Sequence, residues 1–336
     1  MKRIIKCAAI FLTLCLLLAL LAGCTTPGSS LVTTRPYVGE KDFSVVVTIF
    51  PIYDWMMNIL GEEAENFEIV LLMQNGSDLH NFTPGLADMQ KIHAADLFVC
   101  VGGESDAWVP EAMKSKTNED MISLSLMEHM GDALWEEEYV EGMVHEEEAD
   151  EDEEETEYDE HIWLSLRNAG LACTAISEAL CRLDPAHEAV YQKNTETYLA
   201  SLKALDQRYT EAVAAAPLHT LVFADRFPFR YLVEDYGLDY YAAYAGCSSD
   251  IGTSITTVPF LTGKVDELGV KYILRLENNA SDLPEKVAAG AASDGIGILS
   301  LNSMQFVSRA DIDGGASYLG IMEANLEVLT KALSVD

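Results

Sequence analysis

The chain has 336 residues, 49% of them hydrophobic, and a formal net charge of −34. The apolar share supplies a core for one large domain or two lobes. The charge excludes nucleic acid as a partner, because phosphate backbones are held by Lys and Arg clusters.

The first residues, Met1-Lys2-Arg3 and Lys6, precede an apolar run from Cys7 to Leu21. Positive charge before a short apolar stretch is the layout of a secretory signal, here residues 1–23. The run is short for a membrane span, which needs about 20 apolar residues. It ends in Leu21-Ala22-Gly23-Cys24, which resembles the bacterial lipobox and makes Cys24 the expected lipidation site. Residues 24–40 carry little apolar area and read as a flexible tether. Extended, that tether reaches roughly 50 Å. The body is therefore expected outside the cytoplasm, held to the bacterial cell membrane by lipid.

Two α/β series follow. Phe43 to Phe50 reads as a buried strand closed by Pro51, and Asp54 to Leu60 as a helix. Phe67 to Met73 and Leu97 to Val101 read as strands, with a helix over Leu86 to Ala94 between them. Ile162 to Leu183 is helical, and Ala186 to Ala215 is one long helical pattern without proline or glycine. The second series alternates strands at Thr220 to Phe223, Tyr240 to Tyr244, Tyr272 to Leu276 and Gly297 to Leu301 with helices. Its helices are Phe229 to Tyr236, Val258 to Leu268 and Leu283 to Ala292, and Tyr318 to Leu333 closes the chain. The expected fold is α/β: two Rossmann-like lobes, residues 41–182 and 217–336, joined by a rigid helix over 183–216. Ligands in such sheets sit beyond the carboxyl ends of strands, so the residues after each strand are the site candidates.

Residues Glu146 to Glu160 hold twelve acidic side chains in fifteen positions. Such a block repels itself, so about 137–160 reads as a disordered loop that concentrates cations nearby. Of the cysteines left after the signal and Cys24, Cys100, Cys173 and Cys181 lie in apolar contexts, and Cys247 is the fourth. Buried free thiols are the default, with one disulfide left open.

Two histidines stand out by context. His80 lies in a loop after the second strand, between Gly76 and Pro84, and His161 lies where the acidic block meets a helix. Neutral imidazole suits zinc and, less well, manganese. His93, His129, His187 and His219 read as surface residues, and His145 as a weak site beside the acidic block.

Gly76 to Pro84 resembles the Gly-x-x-x-His-x-x-x-Pro stretch of cluster A-I (ZnuA-like) solute-binding proteins. These are the zinc and manganese lipoproteins of ABC importers. Phe50 to Asp54, Ala95 to Phe98 leading to Gly102-Gly103 and Trp108, Asp159 to Trp163, and the helix from Tyr318 are similar to further family motifs. The likeness implies a metal cleft between the lobes, with His80 and His161 as ligands from the first lobe. The family's third histidine has no counterpart: Phe223 to Tyr231 places Arg226 there, beside Asp225. Arginine cannot bind a cation. Asp225 is then either a ligand or the charge partner of Arg226, and Arg226 itself a clamp between lobes. Where the family often carries a last acidic ligand, Asn302 offers only a carbonyl, so Glu277 and Glu104 are the carboxylates to test.

These readings imply a monomeric receptor that captures Zn2+, or Mn2+, and delivers it to a membrane permease of an ABC importer. The alternatives are a surface adhesin on the same fold or a paralogue that binds no metal. A secreted zinc hydrolase is disfavoured: the chain has no HExxH, no GxSxG and no recognisable nucleophile–base arrangement.

Overall fold

The computed structural model of the protein describes residues 41–76, 78–144, 157–247 and 256–335. The signal, the Cys24 tether, His145 and the centre of the acidic block lie outside the described residues.

The first lobe holds β1 (Phe43–Val47), β2 (Phe67–Leu71), β3 (Leu97–Cys100) and β4 (Ile122–Ser125). They form one parallel sheet in the order β2-β1-β3-β4. Around it lie α1 (Phe50–Leu60), α2 (Leu86–Ala94), α3 (Val109–Met113) and α4 (Leu166–Leu183). α5 (Glu188–Ala215) leads to the second lobe. There β5 (Thr220–Phe227), β6 (Asp239–Ala245), β7 (Tyr272–Leu276) and β8 (Gly297–Leu301) form a parallel sheet in the order β6-β5-β7-β8. The lobe is completed by α6 (Arg230–Tyr236), α7 (Thr257–Leu268), α8 (Leu283–Gly290), α9 (Arg309–Asp313) and α10 (Tyr318–Ala332). Strands that alternate with helices favour parallel sheets covered on both faces, and the central strands β1 and β3 are accordingly almost wholly apolar.

Pro51 opens α1 rather than closing the strand. Its fixed φ and missing N–H suit the first turn of a helix, where no hydrogen bond is lost.

α5 spans about 42 Å at 1.5 Å per residue. Its buried residues, Tyr191, Thr195, Tyr198, Leu202, Leu205, Tyr209 and Val213, form a stripe at three- and four-residue spacing. At one end Thr195 donates to Ser177 of α4 (2.9 Å) and Tyr198 to Asp54 of α1 (3.2 Å). At the other, Tyr209 donates to the Met322 carbonyl of α10 (2.6 Å). One apolar core therefore runs through both lobes along this helix.

The expected disordered loop is corrected at both flanks. Met143 belongs to the main core, Leu134 and Val140 pack half-buried against it, and Val144 N–H donates to Ala243 O of edge strand β6 (3.1 Å). Glu138 pairs with Arg230 (2.8 Å), whose guanidinium also covers the Trp135 ring. On the far side Asp159 and Glu160 are 2% exposed. Apolar anchors set among the acids, and cations facing them from the second lobe, hold these flanks as a strap across the lobes.

Further bonds join the lobes directly. Trp163 Nε1 donates to Ser303 O (2.8 Å), Tyr318 Oη to Trp163 O (2.6 Å), and Ser165 Oγ to Asp235 (2.6 Å).

Candidate metal centre

The two histidines come from separate segments of the first lobe. Asp78 caps a single helical turn, Leu79–Asn81, by accepting from the His80 N–H (3.2 Å). That turn fixes the direction of the His80 ring. His161 sits just before α4, whose own cap is Ser165. The two rings meet with Nε2 to Nε2 at 3.2 Å.

The far side of each ring is held. His161 Nδ1 lies 2.9 Å from Asp159 Oδ1. His80 Nδ1 lies 2.9 Å from Ser105 Oγ and 3.6 Å from Glu160 Oε2. A proton on each Nδ1 leaves each Nε2 with its lone pair directed at the other ring. Two lone pairs 3.2 Å apart repel unless a cation or proton stands between them. Two nitrogens on a tetrahedral zinc, with bonds near 2.05 Å, are separated by about 3.3 Å. The observed spacing fits a shared divalent ion. Burial, followed by the neighbouring His161, depresses the His80 pKa to about 4, so its imidazole is neutral and ligand-competent at neutral pH.

Glu160 completes the support. Its Oε1 accepts from Ser105 N–H (2.7 Å), and its buried Oε2 has no hydrogen-bond partner. Burial raises its pKa. Gly103 makes the space: its φ is +80°, and a Cβ there would stand 2.5 Å from Glu160 Oε1.

The second lobe brings Cys247, two residues beyond the end of β6. Among the described residues, donor atoms of His80, His161 and Cys247 all lie within 4.8 Å of one another. Burial, followed by the Asp159 carboxylate, pushes the Cys247 thiol well up. Its backbone N–H meets Glu137 of the strap (3.4 Å). Gly246 must lack a side chain, since a Cβ would meet Phe227 O at 2.8 Å and His161 Cε1 at 3.1 Å.

The two expected carboxylates stand outside that group. Asp225 is turned onto its own lobe, accepting from the backbone N–H groups of Arg226 (2.8 Å) and Leu276 (3.0 Å) and from Asn279. Glu277 accepts from Ser303 N–H and Ser303 Oγ, both at 2.8 Å, and burial raises its pKa to about 7. Glu104 is exposed, and it is its neighbour Ser105 that reaches His80. Arg226 pairs across the cleft with Asp78 at 2.6 Å, both side chains being largely buried.

Sequence reasoning missed Cys247, Ser105 and the role of Asp159 and Glu160. A signal for Cys247 was present: it alone of the four follows a strand in a polar Gly-Cys-Ser-Ser loop. Asp159 lay within the Asp159 to Trp163 motif but was given no role of its own, and Glu160 was indistinguishable in composition from the acidic block beside it. All four remaining cysteines are free.

Residues 45–332 match the family described as ZnuA, zinc-uptake complex component A, periplasmic. The chain belongs to the ZnuA family. Its relatives include zinc-binding protein AdcA of Streptococcus pyogenes, 28% identical over 311 residues, covering 89% of this chain. The chain spans only 58% of the length of that AdcA. It is 29% identical to the high-affinity zinc uptake protein ZnuA of Bacillus subtilis, covering 88% of this chain and 89% of the relative. The Zn(II)-bound ZnuA-like domain of Streptococcus pneumoniae AdcA superposes with a TM-score of 0.68 at 25% identity, covering 87% of this chain and 99% of that domain. The laminin-binding protein Lmb of Streptococcus agalactiae shares the fold, with a TM-score of 0.69 at 22% identity, covering 87% of this chain and 100% of Lmb. Membership of the ZnuA family bears out the resemblance read from the spaced motifs and the two-lobed α/β fold with its long helix. It is a family of metal-binding transport components rather than enzymes.

Proposed function

We propose that this protein is the extracytoplasmic receptor of a metal importer, capturing Zn2+ between His80 and His161 and releasing it to an ABC permease in the membrane. The reading rests on one observation above the rest: two buried imidazoles present Nε2 to Nε2 at 3.2 Å, each backed on Nδ1 by an acceptor. Relatives named for zinc binding and zinc uptake support zinc as the cargo, and Mn2+ is the second metal the imidazoles accept. Asp225 and Glu277 serve the frame of the second lobe in this scheme rather than the ion. Lipid on Cys24 tethers a monomer to the outer face of the membrane, and the acidic block raises the local cation concentration, an effect screened over roughly 8–10 Å by physiological salt.

Calorimetry on the purified protein with zinc and manganese tests the proposal, with His80→Ala and His161→Ala beside the wild type. A tight site lost in both variants supports it. Wild-type zinc binding that neither variant weakens would overturn it.

A further inference from the structure

We infer that Cys247 is the third metal ligand, so that the receptor holds its ion through two imidazoles and one thiolate and selects thiophilic cations such as Zn2+ over Mn2+. The inference rests on the proposed function above and specifies which cation that site prefers.

The placement is the first argument. The two histidines come from the first lobe and Cys247 from the second, and the three donor atoms fall within 4.8 Å of one another. Two histidines alone cannot join the lobes through the ion; a donor from the second lobe can. Arg226, on the adjoining strand β5, is turned away to Asp78, and Asp225 is saturated by amide donors. Cys247 therefore supplies what neither of these residues contributes.

The local backbone is the second argument. Gly246 packs so closely against Phe227 O, Pro228 Cα and His161 Cε1 that any Cβ would displace the loop. The close approach sets the following residue beside the His161 ring. On the other side, Glu137 accepts from the Cys247 N–H and anchors the loop to the strap. The backbone that carries the sulfur is thus held from both directions.

Charge and softness follow from the donor set. Two neutral imidazoles with one thiolate give a site of charge −1, and the thiol proton leaves to solvent as the metal–sulfur contact forms. Sulfur favours Zn2+ and Co2+, whereas Mn2+ prefers oxygen. Three protein ligands leave a fourth position for water or for exchange during release.

Cobalt substitution tests this directly, because thiolate bound to Co2+ gives an intense near-ultraviolet charge-transfer band that imidazole does not. The purified wild type titrated with Co2+ is expected to show the band. Cys247→Ser is expected to lose it and to weaken zinc binding by about 100-fold or more, beyond the 10–100-fold typical of losing an outer-shell partner. Cys247→Asp is expected to lower the zinc-to-manganese preference by keeping the charge and hardening the donor. Cys181→Ser, remote from the site, should change nothing, and circular dichroism of each variant shows that it is folded. Cobalt bound without the band, or zinc affinity unchanged in folded Cys247→Ser, overturns the inference and leaves the two-histidine receptor standing. Failure of the wild type to bind zinc or cobalt at all overturns both.

Discussion

The Asp78–Arg226 pair offers a test of how the lobes are held. The two groups meet at 2.6 Å with side chains 11% and 8% exposed, one from the turn that carries His80 and the other from β5 of the opposite lobe. At an effective dielectric constant near 20, opposite unit charges about 4 Å apart attract by about 4 kcal/mol, part of which desolvation offsets. Burial alone would raise the Asp78 pKa, yet the net shift is downward because Arg226 holds the carboxylate ionised. Asp78→Ala removes the carboxylate paired with a largely buried guanidinium and the cap on the His80 turn. It is expected to cost about 3–4 kcal/mol, roughly 1 of it from the cap. Arg226→Met keeps the aliphatic stem and is expected to cost about 2–3 kcal/mol. Urea unfolding of both single variants and the double variant at neutral pH closes the cycle. The double variant should be destabilised by at least about 2 kcal/mol less than the sum of the singles. Zinc affinity supplies a second readout: removing the Asp78 carboxylate leaves the Arg226 charge near His80 less neutralised, so Asp78→Ala weakens binding while Arg226→Met does not. Additivity within about 0.5 kcal/mol would refute the clamp.

Three other variants probe the frame of the site. Asp159→Asn removes the anionic acceptor that holds the His161 Nδ1 proton, and zinc affinity by calorimetry is expected to fall about 10–100-fold without loss of fold. Glu277→Gln tests a carboxyl whose folded pKa is raised to about 7. A raised pKa means that the ionised form is penalised in the folded state, so stability is full below about pH 4.5 and is lost as pH rises through 7. Glutamine, which keeps an acceptor and a donor for Ser303, should therefore gain about 2 kcal/mol over wild type at pH 8 and little at pH 4.5. An equal difference at both pH values in urea titrations would contradict this. Gly246→Ala should cost about 1–3 kcal/mol by thermal melting, because its Cβ has no room beside Phe227 O and His161. A neutral outcome would show that the loop yields freely.

The sequence determined what depends on local pattern. Apolar β-branched runs between helical stretches dictated two parallel sheets, and the uninterrupted 186–215 pattern dictated the joining helix. His80 and His161 stood out because each sits in a distinctive loop context, 81 residues apart. What they face was decided only by the fold. Asp159 backs His161 from two residues away, whereas that Nε2 meets Nε2, with Ser105 and Glu160 behind His80, depends on chain crossings that no spacing encodes. The same is true of Cys247, brought to them over 86 residues by the return of the chain through β6. Asp225 and Glu277 show the converse. Their positions after or near strand ends suggested ligands, but backbone amides and Ser303 satisfy them within their own lobe. The acidic block shows how composition and environment diverge: identical charges are spread through it, yet tertiary contacts bury Asp159 and Glu160 against histidine and Ser105 N–H donors. A side chain's partner is set by which surfaces meet when two lobes close on one helix, and that is a property of the packed molecule rather than of any segment.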